Sequence, residues 1–178
     1  RQDLPPRIFD KVILASGGSP RSEGLEWIEK LGHEIVAPVP SLFTFNMPNE
    51  AIVELSGVAV DPVLISIPGT SLKTRGPLLI THWGLSGPAI LKLSAFGARI
   101  FSERDYNFYV RVNWLDQTNH ELVLSHLNEV IIEHARKLLP NIKPFGLPDR
   151  LWRYLLNKSG IPQTKRWSEL GNKRLNKL

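Results

Sequence analysis

The stretch that decides the fold class is residues 106–114, which read YNFYVRVNW. Apolar side chains occupy every second position, and the positions between them carry Asn107, Tyr109, Arg111 and Asn113. A period of two residues is typical of a β-strand that turns one face to the core and the other to water. Strands with one buried face and one solvent-exposed face are typical of antiparallel sheets. The stretch therefore predicts an antiparallel strand that needs partner strands.

The chain before this stretch supplies short apolar segments separated by turn residues. They are residues 52–55, 58–60, 63–67 and 78–80. Asp61-Pro62 and Pro68-Gly69 lie between them, and such dipeptides mark turns. Several short strands at close spacing predict a small antiparallel β-barrel or sandwich.

The chain after the strands has a helical pattern. Thr118 and Glu121 fit a capping box, and apolar residues follow at helical spacing until Pro140. Asp149, preceded by proline, opens a second helix, and residues 167–178 predict a third. The fold class is therefore α+β, with a small antiparallel β-barrel or sandwich followed by a helical subdomain.

The first part of the chain has a different character. Residues 11–15 (KVILA) form a continuous apolar run that ends at Ser16-Gly17-Gly18. Continuous apolarity bounded by glycine predicts a strand buried on both faces, as in a parallel sheet. Residues 22–31 predict a helix, and Gly32 stands where a C-terminal cap is expected.

Composition excludes several classes of protein. The 178 residues contain no cysteine, which excludes a disulfide scaffold, a thiol nucleophile and a zinc site built from thiolates. Apolar runs are too short for a membrane helix and no signal peptide opens the chain, so we expect a cytoplasmic protein without a membrane partner. The histidines are too widely spaced for one metal ion, and we expect no metal site.

The formal net charge of +5 is distributed unevenly. Residues 1–135 hold 11 Lys or Arg and 15 Asp or Glu, a net of −4, whereas residues 136–178 hold 11 and 2, a net of +9. This asymmetry raises a nucleic-acid hypothesis. The cations are nevertheless spread over different helical faces, and Trp152 and Trp167 fall within apolar stripes. A solvated basic surface is therefore favoured, and nucleic acid is not an expected partner. The cations considered are Arg150, Arg153, Lys158, Lys165, Arg166, Lys173, Arg174 and Lys177.

Residues 81–91 read THWGLSGPAIL and contain the densest motif of the chain. Ser86 or Gly87 can cap a helix whose first turn holds Pro88. Residues 81–84 are then expected at the junction between a strand and a helix N-terminus, where backbone N–H groups favour polar ligands. The serine lacks the G-x-S-x-G spacing of a hydrolase nucleophile.

Three segments together resemble the bacterial NAD(P)/FAD-dependent oxidoreductases of the aminoacetone-oxidase-like and bile-acid-reductase-like groups. The segments are residues 12–18 (VILASGG), residues 31–42 with their L-G-H and P-V-P-S-L elements, and residues 81–91. Residues 147–152 also fit the family's helical part. The resemblance covers most of residues 11–175.

The resemblance implies a fragment of an FAD-dependent oxidoreductase that uses a nicotinamide as electron donor. Residues 1–45 would be a remnant of the dinucleotide-binding FAD domain and a linker, residues 46–115 the β-barrel-like part of an insert domain, and residues 116–178 its helical part. FAD and NAD(P) would bind the full-length parent. This fragment alone is expected to bind neither and to be inactive. Its partners would be the rest of the FAD-binding domain and a small-molecule substrate.

The resemblance also implies roles for particular residues. Ala15, Ser16, Gly17 and Gly18 would lie beside the cofactor. His82 would be an acid/base or a hydrogen-bond donor, with a structural hydrogen bond as the alternative. The residues expected to line the substrate side are Thr81, Gly84, Ser86 and Gly87. Two other functions remain open: a basic β-barrel module that contacts nucleic acid, and a purely structural cap.

Overall fold

The computed structural model describes Pro5, residues 7–19 and residues 21–176. The chain divides into two compact units, Arg1–Val39 and Pro40–Leu178, which are described separately. Lys177 and the end of the helix expected over residues 167–178 lie outside the described residues.

The first unit contains little regular structure. A 3-10 turn, Ser22–Leu25, leads into a single-turn helix α1, Glu26–Glu29. The helix expected over residues 22–31 is therefore shorter, and Gly32 follows it with a φ of +91°. Residues 11–15 are exposed and form no strand, so the prediction of a doubly buried strand is wrong for this chain. A strand needs neighbours that satisfy its backbone groups, and the described part of this unit has no strand to offer them.

The second unit is built on a five-stranded antiparallel sheet. Its order is β1-β4-β3-β2-β5, so that β1 and β5 are the two edges. The strands are β1 Phe45–Asn46, β2 Ala59–Ser66, β3 Lys73–Thr81, β4 Gly84–Ser86 and β5 Arg111–Asn113. The sheet curls into a half-barrel, which confirms the predicted α+β class with its antiparallel barrel-like part.

One face of the sheet forms the core. Helix α2, Pro88–Glu103, packs mainly on β3 and buries Ile90, Leu93 and Phe101 against the sheet. Buried positions alternate with half-buried ones at the end of β2 and mostly with exposed ones in β3, as the period of two requires. Each fully buried aliphatic side chain contributes about 1.5–3 kcal/mol. The buried aliphatic residues of β2 and β3 are Val63, Ile65, Leu78 and Ile80.

Three strand predictions are corrected. Residues 58–60 and 63–67, predicted as separate strands around a turn at Asp61-Pro62, lie largely within the single strand β2. Residues 52–55 belong to a 3-10 helix, Ala51–Leu55, and of residues 106–114 only Arg111–Asn113 pair as a strand. The pairing stops because Ser66, the last residue of β2, lies opposite Arg111. Beyond it the chain turns away at Pro68, and the earlier residues of the stretch pair with no described strand. Tyr106 is moreover left-handed, with a φ of +58° in the turn that ends α2.

The helical part follows the predicted order with different boundaries. Helix α3, His120–His134, is capped by Asn119, whose Oδ1 accepts hydrogen bonds from Glu121 N (3.0 Å) and Leu122 N (3.4 Å). The cap is therefore one residue after Thr118, and α3 ends before Pro140. Helix α4, Asp149–Lys158, precedes a 3-10 turn, Trp167–Glu169, and α5, Asn172–Leu175.

Two buried tryptophans tie the helical part together. The rings of Trp152 and Trp167 stack with centroids 6.0 Å apart, which confirms their interpretation as core residues. Arg150 fastens α4 to the barrel: its guanidinium donates to Ser56 O (3.1 Å) and to Glu54 O. This cation therefore has a structural role. Among the described residues no helix is both long and apolar enough to cross a membrane.

Candidate functional site

The residues expected beside the flavin form an open segment of the first unit. All four residues, Ala15, Ser16, Gly17 and Gly18, are exposed. The backbone turns at Gly17, which has a φ of +77°. No described atom lies within 4 Å of the position that a Cβ would take at either glycine. By themselves these four residues do not enclose a flavin ring or a pyrophosphate, and their assignment to the cofactor stays a prediction.

Residues 81–84 form a hairpin turn between β3 and β4. Thr81 pairs with Gly84, so His82 and Trp83 are the two residues at the tip. The expected direct junction between strand and helix is therefore corrected, because β4 comes between. The Thr81 hydroxyl is buried and donates to Gly84 O at 3.1 Å. It closes the hairpin from inside.

The glycines of the motif allow backbone segments to approach closely. A Cβ on Gly84 would overlap Phe45 O and lie 2.9 Å from Met47 N of the neighbouring chain segment. A Cβ on Gly87 would lie 2.9 Å from Pro77 O. Gly87 is the N-cap of α2 and Pro88 occupies its first turn, as the sequence predicted. Both glycines thus have a structural explanation.

His82 is exposed at the tip of the hairpin. Its ring meets the Trp83 ring edge-on, with centroids 4.3 Å apart. The Trp83 carbonyl accepts a hydrogen bond from Met47 N at 2.7 Å, which joins the tip to the end of β1. Ser86, also assigned to the substrate side, is half-buried and pairs with Leu79. The structure thus brings the hairpin residues together and separates the side chains of Thr81 and His82.

A groove that sequence reasoning missed runs between the two edges of the sheet. We call it the edge groove. It comprises two adjoining cavities of about 710 Å³ and 450 Å³, which share Met47, Glu50, Val110 and Lys158. One wall is β1 and the residues after it, the other is residues 106–112, and the end of α4 borders it.

Tyrosines and cations border the edge groove. Tyr109 is 86% exposed, and Tyr154 on α4 is half-buried. Lys158 Nζ lies 3.3 Å from the Tyr154 hydroxyl and 3.8 Å from Glu50 Oε2. Arg111 is exposed at the edge strand. One signal was present in the sequence: Tyr109 places an aromatic ring on the polar face of the alternating stretch.

Many cations of the helical part have no acidic partner. Apart from Arg150, which donates to backbone carbonyls, six of the cations that the structure describes there have side chains that form no ion pair: Arg136, Lys137, Lys143, Lys165, Arg166 and Arg174. The same described residues contain no group of three or more metal-ligating side chains that could hold a metal ion. The cations that line the edge groove itself are Arg111 and Lys158.

Comparison with known proteins places the chain among larger proteins. It is 29% identical over 162 residues to the ribosomal RNA dihydrouridine synthase of Escherichia coli (strain K12), a match that spans 86% of the chain and 38% of that protein. It is 32% identical over 93 residues to the protein of the same name from Haemophilus influenzae (strain ATCC 51907 / DSM 11121 / KW20 / Rd), over 48% of the chain and 23% of the relative. The chain thus spans less than two fifths of either relative. Residues 39–178 match the HI0933-like protein barrel and H2TH domain. The chain therefore belongs to this HI0933-like family of FAD-binding oxidoreductase-like proteins.

Proposed function

We propose that this chain is the barrel-and-helix segment of a flavoprotein that reduces uridine in ribosomal RNA with a nicotinamide as electron donor. The observation that carries the proposal is the match to a ribosomal RNA dihydrouridine synthase over 86% of the chain. Reduction of the uracil ring adds a hydride and a proton across its C5=C6 double bond, and the nicotinamide is oxidised in return. FAD, bound by the rest of the parent, would supply hydride transfer.

In this proposal the task of the chain is to hold and orient the RNA. RNA is a polyanion, and most of its affinity for proteins comes from cations that displace its counterions. The net charge of +9 over residues 136–178, together with the six cations free of acidic partners, supports such a role. The proposal departs here from the sequence-based expectation that nucleic acid is not a partner. It also replaces the expected small-molecule substrate by a polymer.

The first unit would connect the segment to the rest of the parent. Apolar side chains stand exposed along it, among them Ile8 and Ile13, the latter 91% exposed. Contiguous exposed apolar surface is typical of a site that contacts another protein surface. We propose that residues 11–15 complete the FAD-binding domain of the parent as a strand, and that residues 15–18 reach the cofactor only there.

The test uses the full-length parent. Purified protein is incubated with an unmodified ribosomal RNA transcript and with NADH or NADPH. The RNA is then digested to nucleosides, whose masses are measured by mass spectrometry. We expect uridine to gain the mass of one hydrogen molecule at a discrete position. The matched control omits the nicotinamide and should leave the RNA unchanged. A parent that carries FAD and oxidises the nicotinamide but leaves every uridine unreduced would contradict the proposal.

A further inference from the structure

We propose that the edge groove binds single-stranded RNA, with a base stacked on Tyr109 and backbone phosphates held by Arg111 and Lys158. The identity of the polymer rests on the proposed function, whereas the location rests on the groove itself. The sequence analysis gave Tyr109 and Arg111 no functional role and placed Lys158 on a solvated basic surface.

The dimensions of the groove suit nucleotides. Its two cavities, about 710 Å³ and 450 Å³, fall within the range of pockets that take drug-sized ligands. The floor is a rigid aromatic cluster in which Phe108 stacks on Phe101 at 4.2 Å and meets Phe45 edge-on at 5.0 Å. A cleft with a packed floor keeps its shape without a ligand, so binding loses little conformational entropy.

Tyr109 offers a stacking surface at the rim. Its neighbour Phe108 turns into the aromatic cluster, so the alternation of the backbone directs Tyr109 the other way, where it is 86% exposed. An exposed tyrosine ring keeps its apolar faces in water until a binding partner covers them. Bases of single strands stack on such rings, and alanine substitution shows that each stacked base stabilises binding substantially.

The cations beside the groove are available to phosphates. Arg111 pairs with Ser66, which pairs in turn with Lys73, so these side chains share one face of the sheet. Within the described ranges neither Lys73 nor Arg111 has an acidic partner. Lys158 faces Glu50, but at 3.8 Å in an exposed position this pair is weak. A phosphate can therefore compete for Lys158.

An extended peptide fits the groove less well than RNA does. A peptide that adds to a sheet edge gains its affinity from a row of main-chain hydrogen bonds. The bordering strands are short: β1 has 2 residues and β5 has 3. The exposed groups are instead rings and cations, which are the components of single-strand nucleic-acid sites.

The experiment measures binding of a fluorescein-labelled oligouridylate to the full chain by fluorescence anisotropy at several salt concentrations. The test variant is Tyr109→Ala/Arg111→Ala. The matched control is Phe96→Ala/Lys92→Ala on α2, because Phe96 is 69% exposed with Lys92 beside it, and neither residue lines the edge groove. Both variants lose one exposed ring and one cation. Tyr109→Phe, which keeps the ring, is the conservative variant.

We expect the test variant to bind about tenfold more weakly through the lost stacking alone. The lost phosphate contact should make the slope of log K against log salt shallower by about 0.7. The control and Tyr109→Phe should bind like the original chain. Circular dichroism and thermal melting verify that the variants fold.

Equal RNA binding by the test and control variants would overturn the inference. The same result is expected if the groove binds a peptide instead of RNA. The proposed function would survive that result, because RNA would then bind elsewhere on the basic surface. Conversely, groove-dependent RNA binding by a protein whose full-length parent reduces no uridine would support the groove and contradict the proposed function.

Discussion

The hairpin motif of residues 81–91 and the edge groove differ in how their side chains are used. In the motif, the Thr81 hydroxyl closes the turn and Gly84 makes room for the neighbouring backbone. In the groove, Tyr109 stands in solvent and Arg111 has no acidic partner among the described residues. The Gly, Pro and hydroxyl residues of the motif therefore serve the geometry of the backbone. The exposed ring of Tyr109 and the cation of Arg111 lie instead in a stretch without any motif.

The largest effect on stability is expected from Gly84→Ala. The new methyl group would overlap the carbonyl oxygen of Phe45 and crowd Met47 N, and both are backbone atoms that cannot turn aside. The φ of +151° adds conformational strain. We expect the unfolding free energy of the full chain to fall by more than about 3 kcal/mol, measured by urea denaturation.

The control for this prediction is Gly69→Ala. Gly69 also has a positive φ, +75°, but no described atom lies within 4 Å of the position of its Cβ. Its substitution should cost only the conformational term, about 1–2 kcal/mol. Equal losses in the two variants would mean that close approach of the backbone is not what requires glycine at position 84.

Sequence patterns predicted what depends on neighbours along the chain. The alternation of residues 106–114 identified an antiparallel fold, and the apolar stripes placed Trp152 and Trp167 in the core. The patterns did not show where pairing stops, because that depends on Ser66 ending β2, a contact between distant segments. The edge groove was missed for the same reason: three segments far apart in sequence border it.

A smaller effect is expected from Thr81→Val, which keeps the shape of the side chain and removes its hydroxyl. Gly84 O then loses a buried hydrogen bond of 3.1 Å. The unfolding free energy should fall by about 1–2 kcal/mol. Thr81→Ser keeps the hydroxyl and should retain most of that contribution. If valine were as stable as threonine, the hydroxyl would be free for another role, and its assignment to the substrate side would regain support.

The smallest effect on stability, and the one that decides whether the motif has any chemical role, is expected from His82→Ala. The ring is exposed and meets the Trp83 ring edge-on, so the unfolding free energy should change by less than about 0.5 kcal/mol. If His82 transfers a proton to the substrate, turnover by the full-length parent should fall by at least about 10²-fold. His120→Ala, which removes another exposed histidine, at the start of α3, is the matched control and should leave turnover unchanged. Unchanged turnover in both variants would favour a structural role for the hairpin, because the Thr81 hydroxyl already closes the turn, and the chemistry would then belong to the rest of the parent. A loss confined to His82→Ala would instead place one reactive group at the tip of a motif that otherwise serves the backbone.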